Sequence, residues 1–305
     1  MKKIISIGEV LMDVYSHGKN IQSEVGGASF NVACSIAALK NNESYFMGSL
    51  GNDEYKQEIE LLIKKFDIKR DYIQNSKLPT TIAKVTLDEN RERFFEFIRN
   101  SDADFSLSKF DEKKLKEIDF IHFGSATAFL SGNLNKSYWD LFKFANENKI
   151  SFCFDPNFRD KLWITKEEIA TFKSLCSKFL EKANLIKLSD EELFLLTQIN
   201  NETEALKSLM NNNPKSLICI TRGSKDTMCG WKNEIIFVST IKSDIVEDTT
   251  GAGDAFISCL ISDYVTEKIC SDSSKEKIIE IVSKANGFAN KAVRYIGALA
   301  FLEKL

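Results

Sequence analysis

The sequence predicts an α/β protein with a doubly wound, mostly parallel sheet flanked by helices. Six apolar runs of about half a dozen residues have the length and character of buried parallel strands. They are "KIISIG", "SYFMGSL", "DFIHFGSA", "ISFCFDP", "NLIKLS" and "SLICIT". Amphipathic segments such as "SFNVACSIAALKNN", "DEYKQEIELLIKKF", "LNKSYWDLFKFANEN" and "TKEEIATFKSLCSKFLEKA" lie between them. This alternation is typical of βαβ units, which wind helices onto both faces of one sheet.

Polar or glycine residues follow each predicted strand. In chain order these segments are "GEVLMD", "GSLGND", "GSATA", "DPNFRD", "LSDEE" and "TRGSKD". The carboxyl ends of parallel strands share one edge of the sheet, and ligands bind at that edge in such folds. We therefore expect the functional residues to lie there.

Two segments, 12–26 and 80–105, interrupt the βαβ rhythm. The second, "TTIAKVTLDENRERFFEFIRNSDADF", alternates in polarity and contains a turn at "DEN", which indicates a β-hairpin. We expect the two segments to form a small β lid on a single domain that spans residues 1–305. A lid that excludes water suits phosphoryl transfer. A plain edge hairpin or a homodimer contact is at least as common a role for such an insertion.

Composition excludes several classes of partner. The 305 residues, 43% of them hydrophobic and 28% charged, suffice for one large core and a small accessory element. The 41 basic and 44 acidic residues are interspersed, which leaves no basic surface for nucleic acid or for a membrane. No apolar run reaches the length of a membrane helix, and the N-terminus does not resemble a signal peptide, so a cytoplasmic location is expected. Seven cysteines without a C-x-x-C pair indicate core thiols.

The stretch "IVEDTTGAGDAFIS", residues 245–258, carries the clearest chemical signal. Gly251 and Gly253, with Ala252 between them, let backbone N–H groups converge where a helix begins, which predicts an anion site. Asp254 would repel a bound anion unless it has a task of its own, and proton abstraction is such a task. The P-loop, the dinucleotide fingerprint and the protein-kinase motifs are absent from the sequence.

The segment "DTTGAGDAF" resembles the C-terminal signature of the ribokinase-like (PfkB) family of sugar kinases, and "GGASFNVA" resembles its N-terminal signature. Matches at "GEVLMD", "GSLGND", "DPNFRDKLW", "KLSDEE" and "TRG" follow the family's order over almost the whole chain. The resemblance implies a ribokinase-like fold and an ATP-dependent sugar kinase that uses Mg²⁺, with K⁺ as a further cation. "DPNFRDKLW" and "SDADFSL" are most similar to fructokinases, followed by 2-keto-3-deoxygluconate kinases.

The resemblance also assigns roles to individual residues. Asp254 would take the proton of a sugar hydroxyl, while the N–H groups of Gly251, Ala252 and Gly253 hold the transferring phosphoryl group. The implied sugar-binding residues are Asp13, Gly27, Asn31, Arg99, Asn157 and Arg159. The implied nucleotide-binding residues are Lys187, Thr221, Gly223 and Lys225 near the phosphates and ribose, and Asn286 near the adenine. The implied metal-site residues are Glu192, which organises Mg²⁺ through water, and Asp248, Thr250 and Gly297, which hold a monovalent cation.

Three functions remain open on the sequence: a fructokinase, a kinase for an acidic sugar such as 2-keto-3-deoxygluconate, and a catalytically silent sugar-binding relative. The presence of Asp254 argues against the silent relative. Either Arg99 or Arg159 would serve an acidic sugar. Asp13 favours a neutral polyol, because it disfavours a second carboxylate nearby, and we therefore predict D-fructose. Asp226 replaces a glycine of the family pattern in the nucleotide loop, so ATP as the donor is an expectation.

Overall fold

The structure is a computed structural model that describes residues 1–17, 20–87 and 93–305. Its strands are β1 Lys3–Ile7, β2 Leu11–His17, β3 Asn20–Gly26, β4 Glu43–Leu50, β5 Ile73–Asn75, β6 Thr81–Leu87, β7 Arg93–Ile98, β8 Phe120–Gly124, β9 Ser151–Asp155, β10 Leu185–Ser189, β11 Leu217–Arg222, β12 Lys225–Trp231 and β13 Glu234–Val238. Its α-helices are α1 Ala28–Leu39, α2 Tyr55–Lys65, α3 Glu112–Leu115, α4 Asn133–Glu147, α5 Lys166–Leu180, α6 Asp190–Thr197, α7 Glu202–Asn212, α8 Ala252–Thr266 and α9 Lys275–Ala292. None of the helices in these ranges combines the length and apolarity needed to span a bilayer.

The main sheet has the spatial order β13-β12-β11-β10-β9-β8-β1-β4-β5. From β11 to β5 every neighbouring pair is parallel, whereas β12 and β13 add an antiparallel hairpin at one edge. All six apolar runs singled out in the sequence are parallel strands of this sheet, namely β1, β4, β8, β9, β10 and β11. The predicted fold class, a mostly parallel sheet flanked by helices, is confirmed.

Helices cover both faces of the sheet, and each face has its own hydrophobic cluster. One cluster joins α1, α2, α8 and α9 through residues such as Phe30, Ile59 and Leu260. The other joins α4, α5 and α7 and is dominated by aromatic rings, among them Phe123 and Phe179, whose centroids lie 5.4 Å apart. Neighbouring residues of β1 enter opposite clusters, as expected of a strand buried on both faces. Six of the seven cysteines are buried thiols and Cys270 is exposed.

A second sheet of four strands, in the order β3-β2-β6-β7, is built from the two segments that interrupt the βαβ rhythm. Strands β2 and β3 pair antiparallel, as do β6 and β7, and β2 pairs parallel with β6. A 3₁₀ helix, Ser101–Asp104, follows β7 where a continued strand was expected. The predicted "DEN" turn, residues 88–90, lies outside the described residues. Because β2 starts four residues after β1 and β3 ends just before α1, this sheet adjoins the carboxyl edge of the main sheet.

Candidate active site

The glycine-containing turn at 251–253 begins α8. Gly251 precedes the first residue of the helix with φ 75°, in the left-handed region, and an added Cβ would lie 2.6 Å from the Cβ of Ala298. Glycine is therefore required by backbone conformation and by packing. The first turn of a helix presents N–H groups and a positive dipole end, which together form an anion site. The amide of Ala252 donates to the carbonyl of Thr249 at 3.2 Å, so its expected contact with a phosphoryl group requires that this bond be given up.

Asp254 lies in the first turn of α8 and is 7% exposed. The Nδ2 atom of Asn31 donates to its Oδ2 at 2.9 Å, which fixes the orientation of the carboxyl group. Burial raises the pKa of Asp254 above its ordinary value, although the Asn31 hydrogen bond and the charges of Arg159 and Lys187 oppose the rise. A buried, oriented carboxylate with a raised pKa is suited to accept a proton as a general base.

Helix α1 brings two of the expected sugar-binding residues to this carboxylate. Gly27 precedes the helix with φ 104°, and an added Cβ would lie 2.7 Å from the carbonyl oxygen of Glu9. Asn31, one turn into α1, uses its amide nitrogen for Asp254, while its Oδ1 is buried and has no hydrogen-bond partner among the described atoms. An unsatisfied buried acceptor is costly, and a sugar hydroxyl would satisfy it.

Lys187 lies against the anion site. Its Nζ is 3.3 Å from Oδ1 of Asp155, the last residue of β9, and both side chains are almost completely buried. Burial lowers the pKa of Lys187, but the charges of Asp155, Glu192 and Asp254 raise it overall, so the ammonium group stays protonated. An added Cβ on Gly253 would lie 3.2 Å from the same Nζ. The glycine at 253 thus leaves the space that Lys187 occupies.

Arg159 is exposed, and its charge acts on three carboxyl groups at this edge, those of Glu9, Asp13 and Asp254. Burial raises the pKa of Asp13 to about 6, and burial also raises that of Glu9 to about 7. The guanidinium group of Arg159 opposes both shifts and the shift of Asp254. Of the residues expected to bind sugar, the structure therefore brings Asn31 into contact with Asp254 and places Asp13 and Arg159 near enough to interact electrostatically with the same region.

Arg99 and Asn157 complete the expected sugar set. Nε of Arg99 lies 3.0 Å from Asp102, and its two terminal nitrogens donate to the carbonyl oxygens of Thr127, at 3.1 Å, and of Ser131. Arg99 therefore ties the end of β7 to the core, and its contact with sugar stays a prediction. Asn157 is buried with φ 48°, and its amide donates to a main-chain carbonyl two residues back at 3.4 Å. Its role also stays a prediction.

The expected phosphate and ribose residues lie at the β11–β12 turn. The hydroxyl of Thr221 donates to the carbonyl of Leu188 at 3.3 Å. Gly223 has φ 59°, and an added Cβ would meet no atom within 4 Å, so the turn faces open space. The side chain of Lys225 is 67% exposed. An exposed cation and an open turn leave room for a phosphate chain, although the assignment of these residues to a nucleotide stays a prediction.

The side chain of Asn286, which was expected near the adenine, forms hydrogen bonds within the protein. Its Oδ1 accepts from the hydroxyl of Thr227 at 2.7 Å, and its Nδ2 donates to the carbonyls of Val238 and Ser239 at 3.3 and 3.2 Å. These bonds fasten α9 to the end of β13. Any contact with an adenine must therefore use the remaining acceptor capacity of Oδ1 or the apolar part of the side chain.

Glu192, expected to organise Mg²⁺, forms a capping box with Ser189 at the start of α6. Its Oε2 accepts from the Ser189 amide and its Oε1 from the Phe158 amide, both at 2.8 Å. Each oxygen keeps a second lone pair, which fits contact with a metal-bound water. In the part of the chain that the structure describes, no three His, Cys, Asp or Glu side chains are grouped to hold a metal directly.

The three residues expected at the monovalent cation site lie together. Oδ1 of Asp248 accepts from the Thr250 amide and Oδ2 from the Gly297 amide, both at 2.9 Å. Although burial raises it, these hydrogen bonds bring the pKa of Asp248 below its ordinary value, so the group is a stable anion. From the lid, Oε2 of Glu24 packs on Gly297, where an added Cβ would lie 2.2 Å from it. Oxygen donors and negative charge suit a hard cation.

Sequence reasoning missed two buried carboxyl groups at this edge, Glu9 and Asp155. Oε1 of Glu9 accepts from the amide of Ser29 at 3.3 Å, in the first turn of α1. Asp155 pairs with Lys187. Glu9 and Asp155 belong to the strand-end segments "GEVLMD" and "DPNFRD". Their position at the end of a predicted strand was the one sequence feature that indicated they lie near the site. Their burial and charge partners could not be obtained from that position.

Comparisons with known proteins identify the family of the chain. The whole chain, residues 1–305, matches the pfkB family of carbohydrate kinases. It is 32% identical over 298 residues to "Probable fructokinase-2" of Arabidopsis thaliana, covering 93% of this chain and 87% of the relative. It is 27% identical over 307 residues to a fructokinase of Vibrio alginolyticus, covering 100% of this chain and 94% of the relative. A fructokinase of Vibrio cholerae O395 in its fructose, ADP and calcium ion bound form superposes with a TM-score of 0.84 at 25% identity, over 99% of this chain and 96% of that one.

Proposed function

Because the chain belongs to the pfkB family of carbohydrate kinases, we propose that it transfers the γ-phosphate of ATP to a hydroxyl group of D-fructose. The observation that carries the chemistry is the carboxylate of Asp254, which is buried in the first turn of α8 beside Lys187 and oriented by Asn31. The relatives named as fructokinases support the choice of sugar.

In this reaction Asp254 accepts the proton of the attacking hydroxyl as the oxygen approaches the γ-phosphate. The N–H groups at Gly251 and Gly253 and the ammonium group of Lys187 face the charge of the transferring phosphoryl group. Because Lys187 is almost completely buried, its interaction with that charge is less screened than in water. Asn31 orients the base and offers Oδ1 to the sugar.

The charges around the sugar favour fructose over 2-keto-3-deoxygluconate. A carboxylate-bearing sugar needs an arginine that is not already neutralised. The donor nitrogens of Arg99 bond Asp102 and two main-chain carbonyls. Arg159 is exposed, and its charge is partly offset by the nearby carboxyl groups on which it acts. An anionic sugar would add a charge to a pocket that is already rich in carboxyl groups.

We also propose that Mg²⁺ accompanies the nucleotide, held mainly by phosphate oxygens and water, with Glu192 orienting a bound water. When bound, Mg²⁺ would offset phosphate charge. K⁺ is proposed at Asp248, Thr250 and Gly297, where it would stabilise the turn that leads into α8. The fit of Asp248 supports this, because its two oxygens are held by backbone N–H groups at one side and carry a stable negative charge.

The whole chain is proposed to act as one domain, with the second sheet as a lid over the sugar and as a homodimer contact. Ile21 lies on β3, and Phe95 and Ile98 lie on β7, the two edge strands of this sheet. They are exposed at 68%, 40% and 38%, which is unusual for large apolar side chains. Sedimentation of the wild type against Phe95→Ser tests the dimer. A cytoplasmic location is proposed because all seven cysteines are free thiols.

The test is initial-rate phosphorylation of a panel of sugars with ATP and Mg²⁺. We expect kcat/KM for D-fructose to exceed that for 2-keto-3-deoxygluconate at least about tenfold, which corresponds to about 1.4 kcal/mol. Arg159→Ala should raise the KM for sugar more than the KM for ATP. A preference for 2-keto-3-deoxygluconate that Arg159→Ala abolishes would establish the acidic sugar instead. Absence of any phosphorylated sugar would establish the silent relative.

A further inference from the structure

We infer that Asp155 is a positioning residue that holds the ammonium group of Lys187 at the anion site of α8, so that Lys187 faces the transferring phosphoryl group. The inference rests on the proposed kinase function. It adds a residue that acts on the reaction through another side chain. The two residues stand at the ends of neighbouring parallel strands, β9 and β10, which places both at the carboxyl edge of the sheet.

The first step of the argument is the location of Lys187. Its Nζ lies 3.2 Å from the point where a Cβ on Gly253 would be, in the first turn of α8. Gly253 has no left-handed φ that would demand glycine. The absence of a side chain at 253 allows Nζ to approach the helix this closely. A lysine in this position adds a full positive charge to the partial charge of the helix N-terminus.

The second step is the cost of placing an ammonium group there. The side chain of Lys187 is 8% exposed, and an isolated buried cation is strongly unfavourable. The carboxylate of Asp155, itself 0% exposed, lies 3.3 Å away and supplies the opposite charge. Without Asp155, the flexible side chain of Lys187 would lose its direct ion pair. Nζ would then no longer be held toward Gly253.

The third step concerns the orientation of Asp155. Its Oδ1 contacts Lys187, whereas its Oδ2 is buried and finds no hydrogen-bond partner among the described atoms. A carboxylate placed only for stability is usually satisfied at both oxygens. In Asp155 one oxygen contacts the lysine and the other has no hydrogen-bond partner among the described atoms. The ion pair of Oδ1 with Lys187 is thus the one interaction of this carboxyl group among the described side chains, which makes Lys187 its main partner.

The experiment is a double-mutant cycle that combines Asp155→Asn with Lys187→Met, measured with the best sugar substrate and saturating ATP. We expect Lys187→Met to lower kcat by about 10²–10³-fold, as for loss of one group that stabilises a developing oxyanion. Asp155→Asn should lower kcat at least about tenfold and weaken ATP binding, measured by calorimetry without sugar. In the Lys187→Met background, Asp155→Asn should have no further effect on kcat, because its target is gone.

Asp263→Asn is the matched control. Asp263 is also a largely buried carboxylate, and its Oδ2 lies 3.8 Å from Nζ of Lys284 without a hydrogen bond, but it lies near the C-terminus of α8. We expect Asp263→Asn to change the melting temperature about as much as Asp155→Asn does, but to leave kcat and ATP affinity unchanged. Gly253→Ala serves as a second variant if Asp155→Asn does not fold, because its methyl group would push Nζ away and should lower kcat several-fold.

Two results would overturn the inference. One is a wild-type kcat in folded Asp155→Asn, and the other is an equal loss from Asp155→Asn with and without Lys187. A wild type that phosphorylates no sugar would refute the proposed function instead. In that case the ATP affinities of the variants still decide whether Asp155 acts through Lys187.

Discussion

Replacing Glu9 with glutamine should change the pH dependence of stability in a defined direction. Glu9 is 1% exposed, and burial raises the pKa of its carboxyl group from 4.5 to about 7. The folded chain therefore holds this proton over a pH range in which the unfolded chain has already released it. Its contribution to stability is fully present below pH 4.5 and is lost as the pH rises through about 7.

The size of the effect follows from the shift. A rise from 4.5 to about 7 at about 1.4 kcal/mol per pKa unit gives about 3 kcal/mol. The free energy of unfolding of Glu9→Gln, minus that of the wild type, should therefore increase by about 3 kcal/mol between pH 4.5 and 8. Asp13, whose pKa burial raises to about 6, contributes to both proteins and largely cancels.

Urea denaturation of the ligand-free proteins at a series of pH values provides the free energies. Glu147→Gln is the control, because Glu147 is 61% exposed and pairs with Lys143 at 3.8 Å. Its difference from the wild type should vary by less than about 1 kcal/mol over the same range. A difference for Glu9→Gln that stays flat from pH 4.5 to 8 would show that the folded protein does not raise this pKa.

Three further predictions concern turnover. Asp254→Asn should lower kcat by about 10²–10⁴-fold through loss of the base while ATP binding persists in calorimetry, and a near-wild-type kcat would exclude Asp254 as the base. Gly253→Val should fold but lose most of its turnover, because its side chain occupies the space of Lys187 Nζ, and retained activity in a folded variant would contradict this account of the anion site. Exchanging K⁺ for tetramethylammonium should lower activity without changing the circular dichroism spectrum, whereas equal activity would mean that Asp248 holds no functional cation.

Much of this protein could be predicted from sequence because its signals are local. Strands buried on both faces must be continuously apolar, so the six apolar runs predicted the parallel strands of the main sheet. The glycine turn before Asp254 predicted a helix N-terminus with a carboxylate, since φ > 0 at Gly251 and the start of α8 depend on neighbouring residues. The strands of the second sheet were predicted from two interruptions of the βαβ rhythm, 12–26 and 80–105, of which the second alternates in polarity.

Only the tertiary structure decided which groups face one another and in what charge state. The carboxyl groups of Glu9 and Asp155 are 146 positions apart along the chain, and their raised pKa values result from burial beneath elements that are distant in sequence. In the sequence Gly253 has the character of a flexible turn residue, yet its φ is not left-handed, and Nζ of Lys187 from β10 lies 3.2 Å from where its Cβ would be. From the sequence Arg99 is a lone arginine of the second inserted segment, but in the folded chain its guanidinium group forms an ion pair with Asp102. Burial and long-range pairing depend on many contacts between residues that are far apart in the sequence, and local sequence patterns do not show these contacts. The sequence by itself therefore determined the secondary-structure elements, whereas the folded structure determined the electrostatics of the site.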